Sequence, residues 1–319
     1  MIKKIAVLTS GGDAPGMNAA LRVCIRTGLY YGIDMYVVYE GFKGLINGEI
    51  EQVNKDFTTD ILGKGGTIIR SARLPEFKEP EVQQKALNVL KDFEIDALIG
   101  IGGDGTYHGL AALAKLGFPV IGVPGTIDND IASSDETIGF ATALNTICEC
   151  VDKIKDTSSS HQRASVIEVM GRHCGDLAIF SGLAEGAEGV ITYEHQMKDD
   201  KLFRKLRMMK AQNKNHAIIL VSENLLDIKE LAAKIEKETG FDTKYEVLGR
   251  LQRGGSPVAH DRVLATKLCT HAVELLKKGV AGRVVGIHQN QVVDYDIHES
   301  LEMKRDTHGD LIKLIDMLQ

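Results

Sequence analysis

A chain of 319 residues with 44% apolar and 26% charged side chains exceeds the usual reach of one hydrophobic core, which predicts two domains or one large α/β unit and excludes a disordered chain. Its formal charge of -6 excludes bulk attraction to nucleic acid or an anionic membrane, so any anion site has to be a local basic cluster. Five cysteines, at 24, 148, 150, 174 and 269, are too scattered for a disulfide framework, and Cys148 and Cys150 lack a second ligand pair for zinc, so reduced thiols are expected.

The opening MIKKIAVLTSGG reaches glycine after a short apolar run, too short for a signal-peptide core, and no run approaches the roughly 18 apolar residues of a spanning helix. A cytoplasmic protein is expected. The first predicted strand, Lys4–Thr9, leads into GGDAPGMNAALRVCIRTGLYYG, and Ala97–Ile101 leads into GGDGTYHGLAALAKLG. Further strands are predicted at Val120–Val123, at Val166–Met170 before GRHCGDLAIFSGLAEG, at Ala217–Val221 and at Val284–Ile287. Each is a short apolar run, with a polar or glycine-rich turn and an amphipathic 3.6-period stretch after the clearest of them. Such strands belong in parallel sheets covered on both faces, with ligands collected at their carboxyl ends. No low-complexity linker divides the chain, so composition places no domain boundary.

The first turn, Ser10 to Asn18, joins backbone N–H groups to a helix N-terminus, which can cradle an anion; the same glycines would also serve a plain strand-to-helix turn. It reads GGDAPG, so it lacks the GxGxxG pattern of a dinucleotide oxidoreductase. The second turn, Gly102 to Thr106, adds the carboxylate of Asp104, which suits Mg²⁺ held by waters and nucleotide oxygens or, alternatively, a helix N-cap. In Pro124 to Asp130, two carboxylates two residues apart follow an apolar run, and such a pair can divide base and positioning duties; an Asx-turn is the alternative.

Together and in order, GGDAPGMN, GGDGT, PGTIDND, DTSSSHQR, VMGRHCGD and LQRGGSP resemble the bacterial 6-phosphofructokinases, over nearly the whole chain. The resemblance implies an α/β fold of two Rossmann-like three-layer αβα domains with mostly parallel sheets. A larger ATP-binding domain would take 1–138 plus 251–301, and a smaller sugar-phosphate and effector domain 139–250 plus 302–319. It implies ATP on Gly12, Arg73, Leu74, Gly103, Asp104, Gly105 and Thr106, with Mg²⁺ at Asp104. Asp128 would be the base taking the proton of the fructose 6-phosphate C1 hydroxyl, and Thr126 and Asp130 would position the reacting groups. Arg73 would meet charge developing on the transferred phosphoryl group, with Arg172 counted beside it among the catalytic residues. Fructose 6-phosphate would be held by Thr126, Ile127, Asp128, Met170, Gly171, Arg172, Glu223, Arg250 and Arg253, with Arg163 and Lys244 from a neighbouring chain of a homotetramer.

Pyrophosphate-dependent relatives carry aspartate and lysine where this chain has Gly105 and Gly125, so ATP is the expected donor. A catalytically dead nucleotide sensor would be expected to lose Asp104 or Asp128, and both are present. The resemblance also implies an intersubunit site for ADP and phosphoenolpyruvate at Arg22, Arg26, Lys55, Lys155, Gly186, Glu188, Gln212, Lys214 and His216. Lys55, Lys155, Gln212 and Asn215 depart from the enterobacterial pattern of two arginines and two lysines. Forked donors and charge are lost, and a weakened effector response is expected. Lys244 stands for an arginine, Arg250 for a frequent histidine and Leu74 for an aromatic; Arg70 is an unusual charge with no account in the sequence.

Overall fold

A computed structural model describes residues 2–318 of the chain. In chain order its first elements are β1 (Lys4–Thr9), α1 (Met17–Tyr30), β2 (Asp34–Val38), α2 (Gly41–Asn47), β3 (Ile50–Val53), α3 (Pro80–Asp92), β4 (Ala97–Gly102), α4 (Asp104–Lys115), β5 (Val120–Thr126), β6 (Ile138–Gly139) and α5 (Phe140–His161). There follow β7 (Arg163–Val169), α6 (Asp176–Glu185), β8 (Gly189–Ile191), α7 (Asp199–Ala211), β9 (Ala217–Ser222), α8 (Ile228–Thr239), β10 (Asp242–Val247), α9 (Ala259–Lys277), β11 (Arg283–His288), β12 (Gln291–Asp296), α10 (Ile297–Glu302) and α11 (Gly309–Met317). They fall into two compact units, Met1–Thr142 with Arg253–Arg305, and Ala143–Gln252 with Asp306–Gln319.

In the first unit seven strands run in the order β12-β11-β5-β4-β1-β2-β3, and β6 pairs with β5. Among the described residues only β2 with β3 and β11 with β12 pair antiparallel. The central strands are apolar on both faces: all of β4 is buried, as is β1 after its first residue. One face packs Leu8 and Leu98 against Phe42, Tyr107 and Leu110, with Phe42 stacked on Phe77 at 4.2 Å between ring centroids. Each such side chain contributes about 2–3 kcal/mol by leaving water. Helix α1 buries Met17, Ala20, Leu21, Cys24, Ile25 and Gly28 as a 3.6-period stripe, with Gly28 against Met35 of β2 and Met17 near Gly125 of β5, and it also packs on α9.

The second unit holds four parallel strands in the order β10-β7-β9-β8. Ile219 and Val221 of β9 join a core with Leu206 of α7 and Leu231 and Ile235 of α8. Leu220 faces the opposite way, toward Gly182 of α6 and its neighbour Ile315 of α11. Alternation along one strand therefore puts helices on both faces of the sheet, the covered parallel arrangement that apolar strands predict.

The six predicted strands all form, β1 with the predicted bounds and the other five with shifted ends. β5 continues past Val123 to Thr126 because β6 pairs with Gly125 and Thr126, and Pro124, which has no N–H to give, sits near the end of the ladder. β7 starts three residues early, at Arg163, and stops at Val169, leaving Met170 in the following turn. The five cysteines are free thiols. Among the described residues no helix is long and apolar enough to cross a membrane.

Candidate active site

Parallel register brings three loops to one sheet edge. Thr9 of β1 lies beside Ile101 of β4, and Gly102 beside Pro124 of β5, so the turns after these strands leave together. The Ser10 amide donates to the Ile101 carbonyl at 3.1 Å, and the Thr106 hydroxyl to the Ser10 carbonyl at 3.2 Å. Gly102 permits this approach, since a Cβ there would stand 2.6 Å from the Ser10 oxygen. The N-cap of α4 is Gly103, so Asp104 is the first helical residue and the N-cap alternative does not hold for it. Its carboxylate is partly exposed and lies 3.5 Å from His108 Nε2 one turn on.

A fourth loop, 64–73, lies over these turns and is held by residues buried in the unit. Asn18, fully buried, donates to the Lys64 and Gly65 carbonyls at 3.1 Å each and accepts the Ile68 amide at 2.8 Å. The Thr9 hydroxyl donates to the Arg70 carbonyl at 2.9 Å, and the Ser71 hydroxyl to the Gly11 carbonyl at 2.6 Å. Between this loop and the first glycine turn is a pocket of about 610 Å³, lined by Gly11, Gly12, Asp13, Thr67, Arg70, Arg73 and Arg253 among others. A Cβ on Gly12 would collide with the Arg253 guanidinium, which also donates to the Asp13 carbonyl at 3.3 Å. Arg253 thus joins Gly12 and Arg73 within the first unit. Leu74 packs instead against the apolar core.

Asn18 was not legible as a site residue, because its partners lie 46 to 50 positions away. We expect Asn18→Ala to lower unfolding free energy by about 1–3 kcal/mol, since it leaves three part-buried backbone groups of the loop without their partner. Urea denaturation measures this, and a loss below about 0.5 kcal/mol would contradict the anchoring role.

The segment carrying Asp128 is braced from three sides. The Thr126 hydroxyl accepts the Asp128 amide at 3.1 Å, a turn capped by threonine, and Asn129 takes a left-handed φ of 53° between the two aspartates. The Thr137 hydroxyl donates to the Thr126 carbonyl at 2.6 Å. Behind β6, Asp261 is fully buried and accepts the Gly139 and Thr142 amides at 2.9 and 2.8 Å, capping α5 from α9. Burial pushes the Asp261 carboxyl above its ordinary value, although those amides and the Thr142 hydroxyl oppose it. Ile127 is buried, while Asp128 and Asp130 are half-buried.

In the second unit, Met170, Gly171 and Arg172 form the turn after β7. The Met170 amide donates to the buried Gln252 side chain at 3.0 Å, and the Arg172 amide to Glu223 at 2.9 Å. Gln252 is a further supporting residue that sequence reasoning missed. Burial, and then Glu223, raise the carboxyl of Glu168. Arg163 and Lys244 share Asp242, each at 2.6 Å, because β7 and β10 pair in parallel with Arg163 opposite Asp242. Hydrogen bonds from Lys244 and then Arg163 hold the Asp242 carboxyl below its usual range. Arg250 is exposed in the turn after β10.

The residues expected at an effector site separate by unit. Arg22 and Arg26 lie four apart on α1, Arg26 donates to the buried Thr58 hydroxyl at 2.8 Å, and Lys55 opens the short turn that carries Thr58. Burial, and then Arg26, lower the Arg22 pKa. In the second unit Lys155 donates to the Glu185 carbonyl at 2.7 Å, Gly186 ends α6, and Glu188 pairs with Lys214 at 2.9 Å. Glu188 is almost fully buried and also accepts the Ile218 amide at 2.6 Å. Lys205, which donates to the Glu188 carbonyl at 2.7 Å, is a cation of this group that sequence reasoning overlooked. Gln212 is exposed and His216 half-buried.

Glycine turns at the ends of adjacent parallel strands, an arginine-lined pocket and a braced aspartate define an α/β protein built to bind phosphate groups beside a carboxylate. The phosphofructokinase family model matches residues 4–276, and on that match the chain belongs to the phosphofructokinase family. It is 52% identical to the ATP-dependent 6-phosphofructokinase of Vibrio campbellii over 319 residues, all of both chains. It is 50% identical to the enzyme of the same name from Teredinibacter turnerae, covering 95% of this chain and 94% of that one. The solved phosphofructokinase of Saccharomyces cerevisiae superposes with a TM-score of 0.87 at 37% identity, covering 94% of this chain, which spans 45% of the yeast chain.

Proposed function

We propose that the chain transfers the γ-phosphoryl group of ATP to the C1 hydroxyl of fructose 6-phosphate, giving fructose 1,6-bisphosphate and ADP, as a cytoplasmic enzyme of glycolysis. The observation that carries this reading is the register that sends the turns after β1, β4 and β5 from one sheet edge. It puts the arginine-lined pocket and the Gly103 turn close to the segment bearing Asp128: a Cβ on Gly103 would lie 3.5 Å from that of Thr126. In this reading Gly12, Arg73 and the 103–106 turn hold the nucleotide. The Asp128 carboxylate accepts the proton of the attacking hydroxyl while the Thr126 hydroxyl holds its backbone, and Asp130 orients the neighbouring groups. Arg73 offers a forked donor to charge spreading over the transferred phosphoryl oxygens. Arg172, Glu223, Arg250 and Arg253 bind the sugar phosphate, joined by Arg163 and Lys244 from a neighbouring chain.

Among the described residues no group of three or more carboxylate, histidine or cysteine side chains is arranged to hold a metal. A lone carboxylate beside a glycine turn fits a hydrated Mg²⁺ shared with nucleotide oxygens, so Asp104 would hold it. Bound there, the ion supplies neutralisation of phosphate charge.

Assembly as a homotetramer belongs to the same reading. Its support is the edge strand β10, whose Tyr245 and Val247 are 43% and 58% exposed, an apolar edge that favours covering. Sedimentation at assay concentration measures it. Effector control is expected to be weak: Lys55 and Lys155 are point charges without a fork, and Gln212 carries no charge. ADP and phosphoenolpyruvate titrated at subsaturating fructose 6-phosphate should each change the rate by less than about threefold, and strong sigmoidality relieved by ADP would contradict this. The function itself is tested by a steady-state matrix of ATP and fructose 6-phosphate, repeated with pyrophosphate in place of ATP. Turnover with pyrophosphate and none with ATP would overturn the reading.

A further inference from the structure

Arg70 has a backbone that its neighbours impose. Its amide donates to the Thr67 carbonyl at 3.1 Å and its carbonyl accepts the Thr9 hydroxyl at 2.9 Å. The preceding carbonyl, of Ile69, accepts the Glu40 amide at 2.9 Å, and the following side chain, Ser71, is tied to Gly11. Held on both sides, Arg70 takes a φ of 62°, the left-handed region in which a side chain is disfavoured and glycine is at ease. The turn would therefore form more readily with glycine, and the strain of keeping a Cβ there directs attention to the head group.

Arg70 lines the pocket already described, with Arg73 and Arg253, so three arginines lie around one cavity beside the Gly11–Gly12 turn. Of the nearby carboxylates, one is committed to Arg253 and the other chiefly to Lys43. Asp13 is engaged by Arg253 at 3.5 Å. Glu40 lies 3.7 Å from Arg70 through one oxygen, but its other oxygen is bonded to Lys43 at 2.6 Å, so the Glu40 charge is already compensated. The Arg70 side chain remains 74% exposed, and its contact with Glu40 is long.

We propose that Arg70 is a further nucleotide-binding residue of this enzyme, its guanidinium taking oxygens of the ATP polyphosphate chain beside Arg73. The inference rests on the reading that the pocket by the first glycine turn holds ATP. Two forked donors, Arg70 and Arg73, at one cavity suit a polyanion with several phosphate groups better than one phosphate, because each fork can engage separate oxygens without sharing.

The test is calorimetric binding of a non-hydrolysable ATP analogue with Mg²⁺ to the parent and to three variants, Arg70→Gly, Arg70→Lys and Arg73→Ala, with melting temperatures measured in parallel. Arg70→Gly is expected to raise Kd about 5- to 10-fold, the loss of one charge-assisted contact. Its melting temperature should equal or exceed that of the parent, because glycine relieves the left-handed strain. Arg70→Lys should fall between the two, and KM for fructose 6-phosphate in Arg70→Gly should stay within about twofold of the parent. If Arg73→Ala weakens binding and Arg70→Gly does not, the proposal for Arg70 is overturned while the pocket assignment stands. If neither weakens it, the pocket does not hold the nucleotide and both fall. Weaker binding accompanied by a lower melting temperature in Arg70→Gly would assign the side chain to loop structure and overturn the proposal as well.

Discussion

Asp128→Asn lowers kcat by about two to four orders of magnitude, the range general-base removal produces, while KM for fructose 6-phosphate stays within about threefold. The separation follows from local structure. Asparagine fills the same volume, and the backbone at 128 is fixed by groups the substitution leaves alone: the Thr126 hydroxyl accepts the Asp128 amide, and Thr137 holds the Thr126 carbonyl. The amide cannot accept the hydroxyl proton, so the loss falls on the chemical step. Initial rates over a fructose 6-phosphate series at saturating ATP measure both parameters. A variant retaining more than about a third of parental kcat would remove Asp128 from the role of base.

Gly105→Asp folds as well as the parent and loses roughly two to three orders of magnitude in kcat/KM for ATP. Nothing lies within 4 Å of a Cβ built on Gly105, and a carboxylate in the first turn of α4 complements the helix dipole, so the fold has no reason to resist. The nucleotide does. A negative charge about 4–5 Å from phosphate oxygens costs about 3–4 kcal/mol at an effective dielectric constant near 20, which sets the size of the loss. Gly125 behaves differently, because a Cβ there would stand 2.8 Å from Ile101 Cγ2, and a lysine would require that core side chain to move. Gly105→Asp should therefore weaken ATP use without making pyrophosphate a good donor. Melting temperature together with kcat/KM for ATP checks the claim, and unchanged efficiency with ATP would show that position 105 does not face the phosphates.

Short-range pattern settled a large part of this molecule. Lys4–Thr9 is read from its apolar run and forms β1 with those bounds, because a strand buried on both faces leaves a continuous apolar signal. The glycine turns are equally visible, since close backbone approach forbids a side chain, and the order of the motifs carries the family. Buried polar residues were not visible in the same way. Asn18, Gln252 and Asp261 look like surface residues in the sequence, yet each is fully buried and satisfies backbone groups 46 to 122 positions away. Arg253, expected with the sugar phosphate, stands beside Gly12 and Arg73. Chain composition carries local preference, and local preference names turns, strands and the chemical types available. Which carboxylate, guanidinium or amide meets which was decided only when parallel register brought the ends of β1, β4 and β5 together, since such pairings arise from closure of long loops that no short window records.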